Sequence, residues 1–228
     1  MSARPARTDL PPLVARFVER NVPPGTPPAR VRFAQVGQMQ LKPGRWLRFE
    51  AEQEAATEGV EFSWRARFPI APLVALRVDD WYRAGNGALE VKLFGLRLKR
   101  SQSVDVARGE AMRYLAELPW VPHAFVANRE LEWREVDEST VEVATTIVGS
   151  RAAVRLHFDD DGDIVAASAQ DRPRAVGKAV VQTPFAGEFG DYELFDGIRL
   201  PTTAAVRWEL SDGPFVYFRG RITSFAAG

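Results

Sequence analysis

The chain is 228 residues long, above the usual roughly 100–200 per domain but within the roughly 200–250 that antiparallel barrels and sandwiches reach as one unit, so a single domain over residues 1–228 is expected. Its 30 basic residues are balanced by 30 acidic ones, which leaves no net field to draw it to nucleic acid or to an anionic membrane surface. Cysteine is absent, which excludes disulfides, thiolate metal sites, a cysteine nucleophile and a lipid-acceptor cysteine.

The first residues, Met1 to Pro5, lead to Pro11-Pro12 and not to an apolar leader, and no later run approaches the roughly 20 apolar residues that span a bilayer. A flexible arm over 1–8, no transmembrane segment and a cytoplasmic location are therefore expected. From Asp9 to Asn21 the stripe Leu10, Leu13, Val14, Phe17 and Val18 predicts a helix, capped by Asp9, with Pro11 in its first turn.

A first run of strands is expected over 31–100. From Val60 to Phe68 the even positions are Val60, Phe62, Trp64, Ala66 and Phe68, and the odd ones are Glu61, Ser63, Arg65 and Arg67, a period of two with one face buried. Leu47, Phe49 and Ala51 alternate in the same way with Arg48, Glu50 and Glu52, so arginine and glutamate can pair across neighbouring strands. Asn86-Gly87 is the preferred pair for a tight hairpin turn, and the shift of apolar parity after Leu93 suggests a bulge near Leu93 to Gly95.

A helical insertion follows over 105–123. Its helix runs from the cap Asp105 to Leu118, with Ala107, Ala111, Tyr114, Leu115 and Leu118 on one face and Glu110, Arg113 and Glu117 spaced to pair. Gly109 weakens it by about 1 kcal/mol relative to alanine, so burial against the sheet has to supply the difference. Alternation resumes over 130–225 in Val141 to Ile147, Val154 to Phe158 and Ala204 to Leu210, with turns at Asp159 to Asp163 and Ser211 to Pro214. About 10–12 strands are more than a flat sheet tolerates. The expected fold is mainly β, a strongly curved antiparallel meander forming an open or half barrel, with an N-terminal and a mid-chain helix on its concave face.

Helix, strands, helical insertion, strands is an order that resembles the unclosed barrel of bacterial lipoprotein carriers of the LolA and LolB type, over nearly the whole chain. At residue level, Glu110, Arg113, Tyr114, Leu115, Glu117, Trp120 and Pro122, with Ala169-Gln170-Asp171-Arg172 and Asp191-Tyr192 ahead of Gly197-Ile198-Arg199-Leu200-Pro201, are similar to a bacterial family of domains of unknown function. The carrier-like shape implies non-catalytic binding of a hydrophobic small molecule or lipid in the concavity.

The residues expected to meet such a ligand are Phe62, Trp64, Arg113, Tyr114, Trp120, His123 and Arg172, with the fork of Arg113 or Arg172 suited to a fatty carboxylate. The inner aromatics also fit a second arrangement, an ordinary core packed against Phe17, Tyr114 and Leu115. Asp171 and Arg172, ending an apolar strand, are candidates for a half-buried ion pair. His157 falls on the polar face of its strand, whereas His123 follows the helix beside Trp120. With the two histidines far apart and no cysteine, no metal centre is expected. Placing Gly162 sixth in a calcium loop puts His157 first and Ser168 twelfth, so the aspartate run reads as a turn. Gly85-Asn86-Gly87 lacks the third glycine of a dinucleotide fingerprint, and no cofactor is implied. The alternatives are an enzyme using Glu110, Glu117, Asp171 or His123 as acid or base, or a partner-binding scaffold.

Overall fold

The computed structural model describes residues 10–177 and 179–228, without the side chains of Leu41 and Lys42, so the expected arm over 1–8 and the Asp9 cap lie outside the described residues. Helix α1 (Pro12–Asn21) begins on a proline, whose fixed φ and missing N–H suit a first turn. It buries Val14 and Phe17, and the Phe17 ring lies 5.0 Å from Phe125 and 6.4 Å from Phe158.

Six strands follow: β1 (Arg30–Lys42), β2 (Arg45–Ala56), β3 (Phe62–Ala71), β4 (Val74–Arg83), β5 (Asn86–Leu93) and β6 (Leu96–Ser101). In β3 the alternation holds, with Phe62, Trp64, Ala66 and Phe68 buried and Arg65 and Arg67 exposed. Two turns differ from expectation. The β4–β5 hairpin turns at Ala84-Gly85 (φ 47° and 79°), which leaves Asn86-Gly87 inside β5, where Asn86 Nδ2 donates to Ala84 O at 3.1 Å. The parity change after Leu93 is a further hairpin turn at Phe94-Gly95 (φ 51° and 79°) and not a bulge. Reading it as a bulge merges β5 with β6, which is why thirteen strands stand where about 10–12 were expected.

Helix α2 (Val104–Ala116) is capped by Ser103, whose hydroxyl accepts from Val106 N at 3.2 Å. Asp105, expected as the cap, sits two residues inward in the first turn, where its charge still favours the helix N-terminus. A 3₁₀ turn (Leu118–Trp120) and the short α3 (Ala124–Ala127) carry the chain past two prolines to β7 (Glu132–Asp137), β8 (Thr140–Ile147), β9 (Ser150–Phe158), β10 (Ile164–Val176), β11 (Ala179–Phe195), β12 (Ile198–Leu210) and β13 (Gly213–Ala227).

All thirteen strands form one antiparallel sheet, ordered β6-β5-β4-β3-β2-β1-β13-β12-β11-β10-β9-β8-β7. Strands adjacent in sequence are adjacent in the sheet except β6 and β7, which form its opposite edges, and at the centre the first strand pairs with the last. At this seam Gly37 faces Gly220, and a Cβ on Gly37 would come 2.8 Å from the Phe49 ring. The two glycines make room for Phe49 and Phe218 to stack at 5.5 Å. Strand twist curls so wide a sheet until its flanks approach. Helix α2 fills what remains of the gap, packing on β4 and β5 on one side and on β8, β9 and β10 on the other. Small residues set the depth of that seat. A Cβ on Gly87 would lie 2.9 Å from Ala107 Cα, and one on Gly109 would lie 3.7 Å from Pro173 O. Among the described residues no helix is long and apolar enough to cross a membrane.

Candidate functional site

Helix α2 turns Glu110, Arg113 and Glu117 toward the inside of the curled sheet. Arg113 Nη1 donates to Asp80 Oδ2 at 2.5 Å, Nε to Glu117 Oε1 at 2.8 Å and Nη2 to Gln53 Oε1 at 3.4 Å. Its guanidinium lies 5.0 Å over the rings of both Phe62 and Trp64. Gln53 Nε2 closes the ring of contacts by donating to Glu117 Oε2 at 2.6 Å. The fork of Arg113 is thus occupied by the protein's own acceptors. Burial works against its charge, and Glu117, Asp80 and Glu110 outweigh burial and hold its pKa above the ordinary value.

Asp80 is only 4% exposed and Glu110 9%. Asp80 Oδ1 and Glu110 Oε2 are buried without a donor among the described residues, yet the two carboxyls are within hydrogen-bonding reach of each other. Two buried carboxylates repel, so a single proton held between them satisfies both oxygens. Burial first, then the charge of Asp80, pushes the Glu110 pKa well above the ordinary carboxyl value.

The opposite wall comes from a change of parity in β10. Ala167 and Ala169 face inward, and continued alternation would send Asp171 and Pro173 after them. Between Ala169 and Arg172 the register against β11 slips by one residue, a bulge that brings Arg172 and Arg174 to the inner side. Asp171 turns outward and pairs with Arg108 of α2, so the half-buried Asp171–Arg172 pair weighed from sequence is replaced by a strand-to-helix bridge. Arg172 lies 5.0 Å over Phe185 and 5.5 Å over Trp208, and its Nη1 donates to Tyr217 Oη at 3.1 Å. Arg174 lies 5.8 Å over Trp208, with its Nε buried and lacking an acceptor among the described residues. Neither guanidinium is hydrogen-bonded or ion-paired to a carboxylate among the described residues, although the charge of Arg172 is felt by Asp80 and Glu110.

Between these walls is a hollow of about 330 Å³, open on one side. Its floor is Phe185, Gly187, Phe189, Trp120 and Ala204, and exposed Lys99, Ala175 and Val180 stand at the mouth. That volume falls at the lower end of small-molecule sites, roughly 300–1,000 Å³. Of the seven residues selected from sequence, Arg113, Trp120 and Arg172 line it. Phe62 and Trp64 lie beneath Arg113 in the packed core, where Trp64 also donates through Nε1 to Gln35 Oε1 at 2.9 Å. Tyr114 Oη donates to Ala56 O at 2.8 Å and accepts from Asn128, away from the hollow. His123 is buried outside the lining, its pKa lowered by burial and its Nδ1 lacking a partner among the described residues. His157, on β9, lies between Thr140 Oγ1 and Ser168 Oγ.

Sequence reasoning missed Asp80, Arg174, Phe185, Trp208 and Tyr217. The available signal was the two arginines flanking Pro173 directly after an apolar strand, but unbroken parity turns both outward, and only the bulge brings them inside. Among the described residues no group of three or more histidine or carboxylate side chains is placed to hold a metal.

Two solved structures share this architecture. A LolA superfamily protein from Nitrosomonas europaea superposes with a TM-score of 0.50 and 10% identity, covering 95% of this chain and 92% of that chain. A DUF1329 family protein from Desulfovibrio piger gives 0.53 and 13%, covering 94% and 90%. At these identities the likeness concerns the fold. No curated protein matches the sequence. The model of one family matches residues 2–220, nearly the full length, and the chain belongs to that family, the family of unknown function DUF6544.

Proposed function

We propose that the protein binds a hydrophobic or lipid-like ligand without transforming it, in the hollow between α2 and β10–β13. Arg172 carries the proposal. A guanidinium lying over two aromatic rings, facing an apolar space and hydrogen-bonded only to a phenol, is suited to receive an anion. The ligand's acidic end meets Arg172, and its hydrocarbon lies on Phe185, Phe189, Val206 and Trp208. Arg113, already ringed by acceptors, maintains the wall. Tyr114, Phe62, Trp64 and His123 act through the packing that shapes it.

The fold shared with a LolA superfamily protein supports a carrier-like role for such a concavity. Native mass spectrometry of the purified protein is expected to show a co-purifying lipid. In titrations with a fluorescent fatty acid, Arg172→Met should weaken binding about tenfold or more, the value of one lost charge-assisted hydrogen bond. Unchanged affinity in a variant of unchanged thermal midpoint would refute the assignment.

A second reading rests on the Asp80–Glu110 pair, because a carboxyl that keeps its proton beside a cavity is equipped as a general acid. Incubation with the lipid followed by mass analysis separates the two. An unaltered mass supports binding alone, and a changed mass supports an enzyme.

A further inference from the structure

Antiparallel strands place alternate turns at opposite ends of the sheet. One end holds the turns at 43–44, 72–73, 94–95, 148–149 and 211–212 and the turn after Val176; the other holds those at 57–61, 84–85, 138–139, 159–163 and 196–197. The balanced net charge hides a division along this axis. At the first end the segments 41–48, 67–77, 91–100, 146–155 and 172–182 contain basic residues and not one acid, and Glu209 and Asp212 are the exceptions around the sixth turn. At the second end lie Asp137 and Glu138, the run Asp159 to Asp163, and Asp191, Glu193 and Asp196, of which Asp163 is bridged by Arg199 and Arg20, and Asp191 and Glu193 by Arg221. Asp79 and Glu90 pair with Lys92, and Glu90 also with Arg97 and Arg100, but Arg45, Arg48, Arg67, Arg77 and Lys99 have no acidic partner among the described residues.

The basic end is also the greasy one. Apart from Val36, Val104 and Leu194, the large apolar side chains that are exposed among the described residues sit on its hairpins. Leu73 is fully exposed, and Phe94, Leu96 and Val148 are each more than 70% exposed. Leu73 and Phe94 occupy the tips at φ 62° and 51°, conformations that suit glycine or asparagine and that strain bulky side chains. Stability favours neither the exposure nor the strain, and both coincide with the mouth of the hollow, where Lys99 and Val180 stand.

We propose that this end docks on an anionic lipid bilayer, its Leu73 and Phe94 hairpin tips entering the acyl boundary while the surrounding arginines and Lys99 meet headgroup phosphates. The acidic end then faces solvent, and repulsion from the surface selects one orientation, with the hollow's mouth against the lipid. This goes beyond ligand binding and does not require the hollow to be filled.

Sedimentation with vesicles of equal parts phosphatidylglycerol and phosphatidylcholine is the test, against vesicles of phosphatidylcholine alone. Binding is expected on the anionic vesicles, about tenfold weaker on the neutral ones, and weakened by salt. Leu73→Asp combined with Phe94→Asp should lower it a further tenfold or so at an unchanged thermal midpoint, since both side chains are exposed. Arg172, turned into the hollow over Phe185 and Trp208, takes no part in the headgroup contact, so Arg172→Met should leave vesicle binding intact; the tip variant should leave fatty-acid affinity intact, and failure of one proposal is distinguishable from failure of the other. Equal binding to both vesicle types, or none at low salt, overturns the inference. Salt-sensitive binding indifferent to the tip substitutions also overturns it and assigns the basic end to an acidic protein.

Discussion

Burial and the charge of Asp80 push the Glu110 carboxyl well above its ordinary value, and that shift makes stability depend on pH. Unfolded, its carboxyl titrates near the ordinary 4.5; folded, burial and the neighbouring Asp80 retain the proton to a higher pH. A carboxyl raised on folding contributes fully below its unfolded value and loses that contribution as pH rises through its folded value. Stability is therefore expected to decline on the alkaline side of about pH 4.5, beyond the range in which Glu54 and Glu142, lowered by their arginine partners, govern the acid limb. Glu110→Gln keeps a neutral donor facing Asp80 and should flatten the decline, so that thermal midpoints of variant and parent diverge with rising pH. Parallel profiles would show that the proton is not held there. Little of this pair was legible in sequence. Glu110 stood out through its spacing from Arg113 and Glu117, but Asp80 lies thirty positions earlier in a strand whose register only the fold sets.

Helix α2 carries a glycine in its middle and buries a glutamate and an arginine, so it is no strong helix alone. Its cap and its seat hold it. Ser103→Ala removes the acceptor for Val106 N and should cost about 1 kcal/mol, read as a lower urea midpoint at unchanged slope. A loss near zero would shift the stabilisation wholly to the sheet contacts. The helix itself was readable from its spacing, whereas its frame was not. Ser103 and Asp105 both make acceptable caps, and the choice follows from docking Ala107 against Gly87 and Gly109 against Pro173. Strand β3 was legible because a packed interior presses on one of its faces. The Phe94-Gly95 hairpin was not, because phenylalanine is a poor sign of a left-handed turn. The bulge before Arg172 was hidden in the same way, so Arg172 was picked out and Arg174, Phe185 and Trp208 were passed over.

At the scale of the molecule, the sheet has two free flanks, β6 and β7, and a centre built from the chain's first and last strands. Central strands are bonded on both sides and open only with the whole structure. Native-state hydrogen exchange should find amides such as Phe33 in β1 and Ile222 in β13 slowest, with those of β6 faster by about tenfold or more. Equal protection across the sheet would mean that the flanks and the seam open together.

The pairing of β1 with β13 also dictates an order of events during synthesis. Each meander assembles from residues close in the chain, but the contact that joins them links Val31 to Ala227 and waits for almost all of the polypeptide to emerge. Until then a nascent chain displays an unzipped edge on β1 and the bare lining of its future interior. That interval, more than the finished state, is when unpaired edge and apolar surface expose the chain to aggregation.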